Sequence, residues 1–275
     1  MNHSIILNIT FGDKPYYNGP NFLPIQAGGS RVNIQSDNEG DNISEKNPIY
    51  GELTAVYWAW KNLKNVDIIG MSHYRRYLMT TSGLTKTFYQ TKWEDFLKKH
   101  YNAAYYEKDL KQYDMVFCKK WKFDGMSVRQ QFLEHHPYPE DLDLTRNILG
   151  EFHPECVPFW DKFLNGNTGY FCCLYITHWK IFDDLCKWMF PMLFEIEKQL
   201  QYEKYDKYEL RIIAFLYERL LNVYIQARHL KIKEYPFYMI VDGIVKPIWR
   251  QELGARIWNI VRRFKKPAYE NMLHI

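Results

Sequence analysis

His73, Arg75 and Arg76 stand within four residues of one another, framed by Tyr74 and Tyr77, directly after the apolar run 66–71. A run of that length and composition reads as a buried strand. Ligands in α/β folds bind beyond the carboxyl ends of strands. An imidazole and two guanidiniums at such an end suit an anion, and phosphate first, because the planar guanidinium fork binds it bidentately. Adjacent arginines can also cover a helix end or pair with surface carboxylates. Two further polar clusters in the same segment, Asp41-Asn42 and Glu52 to Thr54, favour the anion site.

A group transfer at such a site needs a base, and the carboxylates available for that role are Glu218, Asp41, Asp114 and Glu52. Asp114 precedes a short strand predicted over 115–118. Glu218 lies in a helix predicted over 207–227 that is apolar nearly all round and therefore buried. On it Arg211, Glu218 and Asn222 share one narrow face, with Arg219 about 80° away. Buried charges must be paired. Either Arg211 and Glu218 pair with each other across two turns, or the face forms a pocket floor on which Glu218 accepts hydrogen bonds or a proton. Asp141-Leu142-Asp143 is the chain's Asp-x-Asp. It follows a Pro break and opens an apolar-periodic stretch, where acids favour the helix dipole, so it is read as a helix start and no metal ligand is assigned.

The elements that must position these residues follow from periodicity. Residues 5–9 form a first strand. Asn47-Pro48 opens a helix carrying Leu53, Val56, Tyr57, Trp60 and Leu63 on its core face. Further helices are predicted over 93–100, 127–135 and 178–201, and a strand over 169–177. The segment 12–47 is rich in Gly, Asn, Asp and Pro and reads as one long functional connection; Gly28-Gly29 before Ser30-Arg31 is a weak phosphate-loop signal. Aromatic residues make up 17% of the 275, a level that suits sugar stacking as well as ordinary cores. Five cysteines without a C-x-x-C argue against a structural zinc site or a disulfide framework. The N-terminus lacks a signal-peptide core, and no apolar run reaches the roughly 20 residues of a spanning helix. The expectation is a cytoplasmic protein, or one attached peripherally at the inner membrane face.

The wording GDNISEKNPIYGELTAVYWAWKN, then IGMSHYRRYL, resembles a bacterial capsular and exopolysaccharide glycosyltransferase family long carried as a domain of unknown function. YDMVF (113–117), VRQQFLEHH (128–136), IFDDLCKWMF (181–190) and RIIAFLYERLLNVYI (211–225) follow in the same order, so the likeness covers about residues 5–235. The resemblance implies an α/β, GT-A-like (Rossmann-related) nucleotide-sugar domain with a helical C-terminal part, over 1–235. It implies transfer of a hexose from a UDP-linked donor to a capsular, exo- or lipopolysaccharide glycan on a lipid carrier. Thr10, Gln26, Asn42, His73, Arg75 and Arg76 are then expected to hold the donor. His135, Arg211 and Arg219 would bind the acceptor, with Glu218, Asp41 or Asp114 as the catalytic carboxylate. Mn or Mg is the divalent metal such chemistry uses, but no convincing Asp-x-Asp site is present for it. The family pattern has Asn where Cys173 stands, which leaves that position's role open.

Residues 236–275 are expected to form a basic amphipathic extension. From 246 to 266 there are seven Lys/Arg against Glu252 alone, with Trp249, Leu253, Ile257, Ile260 and Phe264 on one stripe, which suits an anionic membrane surface. The alternative to an enzyme is a non-catalytic carbohydrate- or nucleotide-binding protein. Nucleic-acid binding is the weakest option, and no nucleic-acid partner is expected.

Overall fold

The computed structural model describes residues 3–29, 33–78, 93–241 and 244–247. The first part of the chain forms β1 (Ser4–Thr10), β2 (Phe22–Gln26), β3 (Gln35–Ser36), α1 (Asn47–Tyr50), α2 (Leu53–Asn62), β4 (Ile68–His73) and β5 (Arg76–Leu78). The middle forms α3 (Trp93–His100), α4 (Ala103–Asp109), β6 (Met115–Cys118), β7 (Trp121–Lys122), α5 (Val128–His135), α6 (Pro139–Phe152) and α7 (Val157–Asn165). The last part forms β8 (Thr168–Gly169), β9 (Tyr175–His178), α8 (Trp179–Gln199), α9 (Ile212–Ala227), β10 (Ile232–Tyr235), β11 (Phe237–Val241) and β12 (Ile244–Pro247).

The main sheet runs β3-β2-β1-β4-β9-β6-β10. Its first four strands are parallel, β9 is antiparallel to both neighbours, and β6 and β10 are parallel to each other. The chain leaves β1 toward β3 and returns to β4 on the other flank of β1. At such a reversal doubly wound sheets bind ligands in the crevice outside the strands' carboxyl ends, here those of β1 and β4. Both strands are buried on both faces, as the apolar runs require. Helix α9 packs against α1, α7 and α8, and its expected all-round burial holds, with Ile212, Ile213, Leu216, Leu220 and Val223 sealed from solvent.

Four expectations are corrected. The segment 12–47 contains two parallel strands, β2 and β3; Pro24 masks β2, being tolerated because the two-residue β3 pairs only with Ile25 and Gln26 and asks no N–H of it. The helix expected from Asn47 breaks at Gly51, whose φ of +54° is left-handed. Asn47 does not cap an N-terminus; its amide donates to the Gly51 carbonyl at 2.8 Å and to Thr54 Oγ1 at 3.2 Å. The strand expected over 169–177 is split, because Cys172 and Cys173 have φ of +74° and +44°. The last long helix begins at Ile212, behind a single 3-10 turn ending at Arg211.

Residues 237–241 join the main sheet through β5, so the first part of the expected extension lies in the fold. The basic stripe beyond 247, and Ser30-Arg31, lie outside the described residues. Among the described residues no helix is long and apolar enough to cross a membrane.

Candidate functional site

β4 turns into β5 through Tyr74 and Arg75 alone, and buried side chains fix that turn. Asn8 Nδ2 donates to the His73 carbonyl at 3.2 Å and to the Tyr77 hydroxyl at 3.1 Å. Tyr77 donates to the Tyr74 carbonyl at 3.1 Å, and Ser72 Oγ to the Arg76 carbonyl at 2.8 Å. Arg75 and Arg76 are thereby presented at the sheet's carboxyl end. His73 is the last residue of the strand rather than a loop residue, and it is only 6% exposed. Burial drives its pKa down to about 4, against the pull of Glu52. It is therefore neutral at neutral pH, and the cations of the cluster are the arginines.

The break at Gly51 delivers Glu52 to this place. Its carboxylate lies 3.8 Å from His73 Nε2 and 3.4 Å from Arg211 Nη2. Burial pushes Glu52 up, but the pull of the facing His73 ring and of the Arg211 charge outweighs it and leaves the carboxyl below its ordinary range. The other wall is the loop 170–174, which α9 holds by its backbone. Asn222 accepts from the Tyr170 N–H at 2.8 Å and donates to the Tyr170 carbonyl at 2.7 Å. Glu218 Oε1 accepts from the Cys172 N–H at 2.7 Å. These bonds replace the ladder bonds a strand would have made and keep two left-handed residues in place; such strain clusters at functional sites.

The Arg211–Glu218 pair does not form, because Arg211 sits in the turn before α9 and faces Glu52. Glu218 instead pairs with Arg219 at 3.2 Å. Arg219 also donates to the Phe215 carbonyl and to Gln131 Oε1, between the rings of Phe132 and Phe171. Burial, the largest influence, raises the pKa of Glu218 against Arg219 and the Cys172 N–H. Arg76 is different: its Nε is sealed from water without a partner, and it forms no ion pair among the described residues. Its charge senses Cys172, Glu52 and Glu218 nearby. A guanidinium with a sealed Nε and no bound carboxylate has donors left for an anion.

Of the remaining expected site residues, Thr10 and Gln26 end β1 and β2 in register with each other, beside the crevice. Thr10 donates to the Lys14 carbonyl at 3.0 Å, and Gln26 exchanges hydrogen bonds with the Gly12 backbone at 2.7 and 3.2 Å. Asn42 makes a local turn, bonded to Gly40 and Ser44. Asp41 is not brought to the cluster. It binds Tyr57 in the middle of α2 and Asn62 at its far end, the latter about 15 Å along the helix from Glu52. Asp114 is also remote, at the amino end of β6, where it accepts from the Lys231 N–H at 2.7 Å.

His135 ends α5, half-buried. The adjacent His136, which the sequence did not single out, is 1% exposed, and neither ring nitrogen is bonded among the described residues. It packs among Phe132, Tyr208 and Phe215. Asp37, also missed, directly follows β3 and accepts from the Gly28 N–H and Ser44 Oγ.

The residues do not fit a metal at the Asp-x-Asp. Asp141 already accepts from Lys204 at 2.9 Å and Tyr205 at 2.8 Å, whereas Asp143 turns outward to Arg129. The two carboxylates do not converge.

Over residues 6–229 the chain matches the family described as "Domain of unknown function (DUF4422)", and it belongs to that family. It is similar to the solved structure of WbbM, a bifunctional glycosyltransferase, in its apo form. The likeness has a TM-score of 0.78 at 27% identity and covers 86% of this chain and 45% of that one. The chain thus spans less than half the length of that protein. No curated protein sequence matches. The fold is shared with part of that protein, an α/β architecture as expected from the sequence.

Proposed function

We propose that this member of the family is a glycosyltransferase that moves a hexose from a UDP-linked donor to a growing capsular, exo- or lipopolysaccharide glycan carried on a lipid. The observation that carries the reading is Arg76, with a sealed Nε and no ion pair among the described residues, beside Arg75 at the carboxyl end of β4. In this reading the donor's pyrophosphate lies on the two guanidiniums. When the bond from the sugar's anomeric carbon to the phosphate oxygen breaks, the electron pair leaves with the diphosphate, and the arginines stabilise that charge. The acceptor hydroxyl attacks the anomeric carbon and gives its proton to Glu218, whose raised pKa suits a base better than an ordinary carboxylate would. Thr10 and Gln26 shape the donor end of the crevice. Arg211, half-exposed and held by Glu52, is placed for the acceptor, with His135 on the neighbouring helix end.

The test is incubation with a panel of UDP-sugars, with release of UDP as readout, beside thermal shifts with and without manganese. A ligand at a hundred times its Kd stabilises by about 2.7 kcal/mol. Sugar binding with no UDP release from any donor, with or without acceptor, would make the protein a binding module. Complete loss of activity in EDTA, restored by manganese, would add a metal to the mechanism. The basic stretch 246–266 is proposed to rest on an anionic membrane, and truncation after Val245 should weaken co-sedimentation with anionic vesicles if it does.

A further inference from the structure

At the same end of the sheet as the arginines, the chain leaves β6 through Lys119 and Lys120 into β7, which pairs with β8 as a small ribbon outside the main sheet. All four residues 119–122 are exposed, and Trp121 is one of the few large apolar side chains on the described surface, at 40% exposure. Among the described residues Lys122 makes only a long, solvated contact, with Asp124 at 3.9 Å. Lys120 lies over the Tyr170 ring at 5.0 Å. Lys162, in the last turn of α7, stands exposed where the chain enters β8. The ribbon is tied to the site loop: Trp121 pairs with Gly169, the rings of Phe123 and Phe171 lie 5.3 Å apart, and Cys118 Sγ donates to the Phe171 carbonyl. Cys172 is the next residue.

We infer that this ribbon is a docking surface for an anionic lipid bilayer, separate from the basic C-terminal stretch. An indole settles at the headgroup level because its body is apolar and its N–H wet. Lysines around it are drawn to anionic headgroups within a Debye length. Lysine supplies donors only, so the patch matches anions rather than the mixed donors and acceptors of neutral sugars. It projects as a ribbon rather than receding as a cleft, which suits a plane. Contact there would turn the crevice with Arg75 and Arg76 toward the membrane. The inference does not depend on the proposed transfer reaction.

The experiment is co-sedimentation of the full chain with phosphatidylcholine vesicles, with and without phosphatidylglycerol. Each lysine near an anionic surface is worth roughly a factor of five in partitioning. Lys119→Gln, Lys120→Gln and Lys122→Gln together should therefore weaken binding about a hundredfold. Trp121→Gln should weaken it while leaving the salt dependence unchanged. Quenching by brominated lipid should drop in Trp121→Phe. Because these side chains are exposed, the thermal midpoint should not move in any variant, and a midpoint within a degree of wild type is the control for folding. Wild-type vesicle binding by the folded triple variant would overturn the inference. So would unchanged vesicle binding with impaired transfer to a soluble acceptor, since the ribbon would then hold an anionic glycan.

Discussion

Replacing Arg76 by methionine separates the roles a buried cation can have. Methionine keeps the length and most of the packing but removes the charge and donors. In the structure Arg76 has a sealed Nε and no ion pair among the described residues, so its charge is favoured only at longer range, by Cys172, Glu52 and Glu218. Uncharged replacement at such a site is neutral or stabilising. The unfolding free energy should hold or rise by about 1 kcal/mol, a shift of roughly 2–4 °C in Tm for a chain of about this size. Activity should move the other way. Losing one fixed donor aimed at the charge of the leaving diphosphate costs about 2.7–4 kcal/mol, or 10²–10³ in turnover. The assay is UDP release at saturating donor beside thermal unfolding with and without UDP. The wild type should show a UDP-dependent rise in Tm that the variant lacks. An Arg76→Met protein with wild-type turnover and a wild-type response to UDP would refute the reasoning, and so would a variant that simply unfolds several degrees lower.

Glu218→Gln should lose transfer by about 10²–10⁴ while staying folded, since the amide oxygen still accepts the Cys172 N–H; full activity would remove Glu218 from the mechanism. Burial raises the Glu218 pKa, so its favourable contribution to stability is present below the unfolded value and lost as pH rises through the folded one. The Gln variant should accordingly gain on wild type as pH increases above the ordinary Glu range, and a constant difference across pH would contradict this. His136, with its pKa pushed down to about 3, acts in the opposite sense. Its neutral form contributes fully above the unfolded value of about 6.5, and that contribution is lost as pH falls toward 3. His136→Phe should raise stability by about 1–3 kcal/mol, by removing two unbonded buried nitrogens, and flatten the acid loss; denaturant titration at two pH values checks both. Gly51→Ala should cost about 1–3 kcal/mol from the left-handed backbone alone, since the added Cβ would meet Arg211 and Ala214 at 3.5 and 3.6 Å, ordinary contact. An unchanged midpoint would mean the break at Gly51 is not strained.

The amino-acid sequence by itself determined the elements whose signals are local. The apolar runs became β1, β4 and β6. The capped pattern after Ser127 became α5, with Ser127 and Gln130 bonding reciprocally. The all-apolar stretch became the buried α9, and Arg75 and Arg76 had to lie near a strand's carboxyl end, because they come within three residues of the buried β4. These outcomes depend on neighbours a few residues apart, and periodicity or capping reports such neighbours.

Only the tertiary structure decided the partners. Arg211 faces Glu52, 159 residues away in the chain, rather than Glu218 on its own helix, because the left-handed Gly51 turns Glu52 inward. Asn222 and Glu218 hold a loop some 50 residues distant and make it a wall of the site where the local pattern reads as strand. Asp41 and Asp114 carry the right chemistry but were placed at the opposite end of the neighbouring elements. Which end of a helix or strand a carboxylate occupies, and what waits opposite, is set by how distant segments pack. No local pattern encodes that, because ion pairs and side-chain-to-backbone bonds form between whatever groups the fold has already brought together.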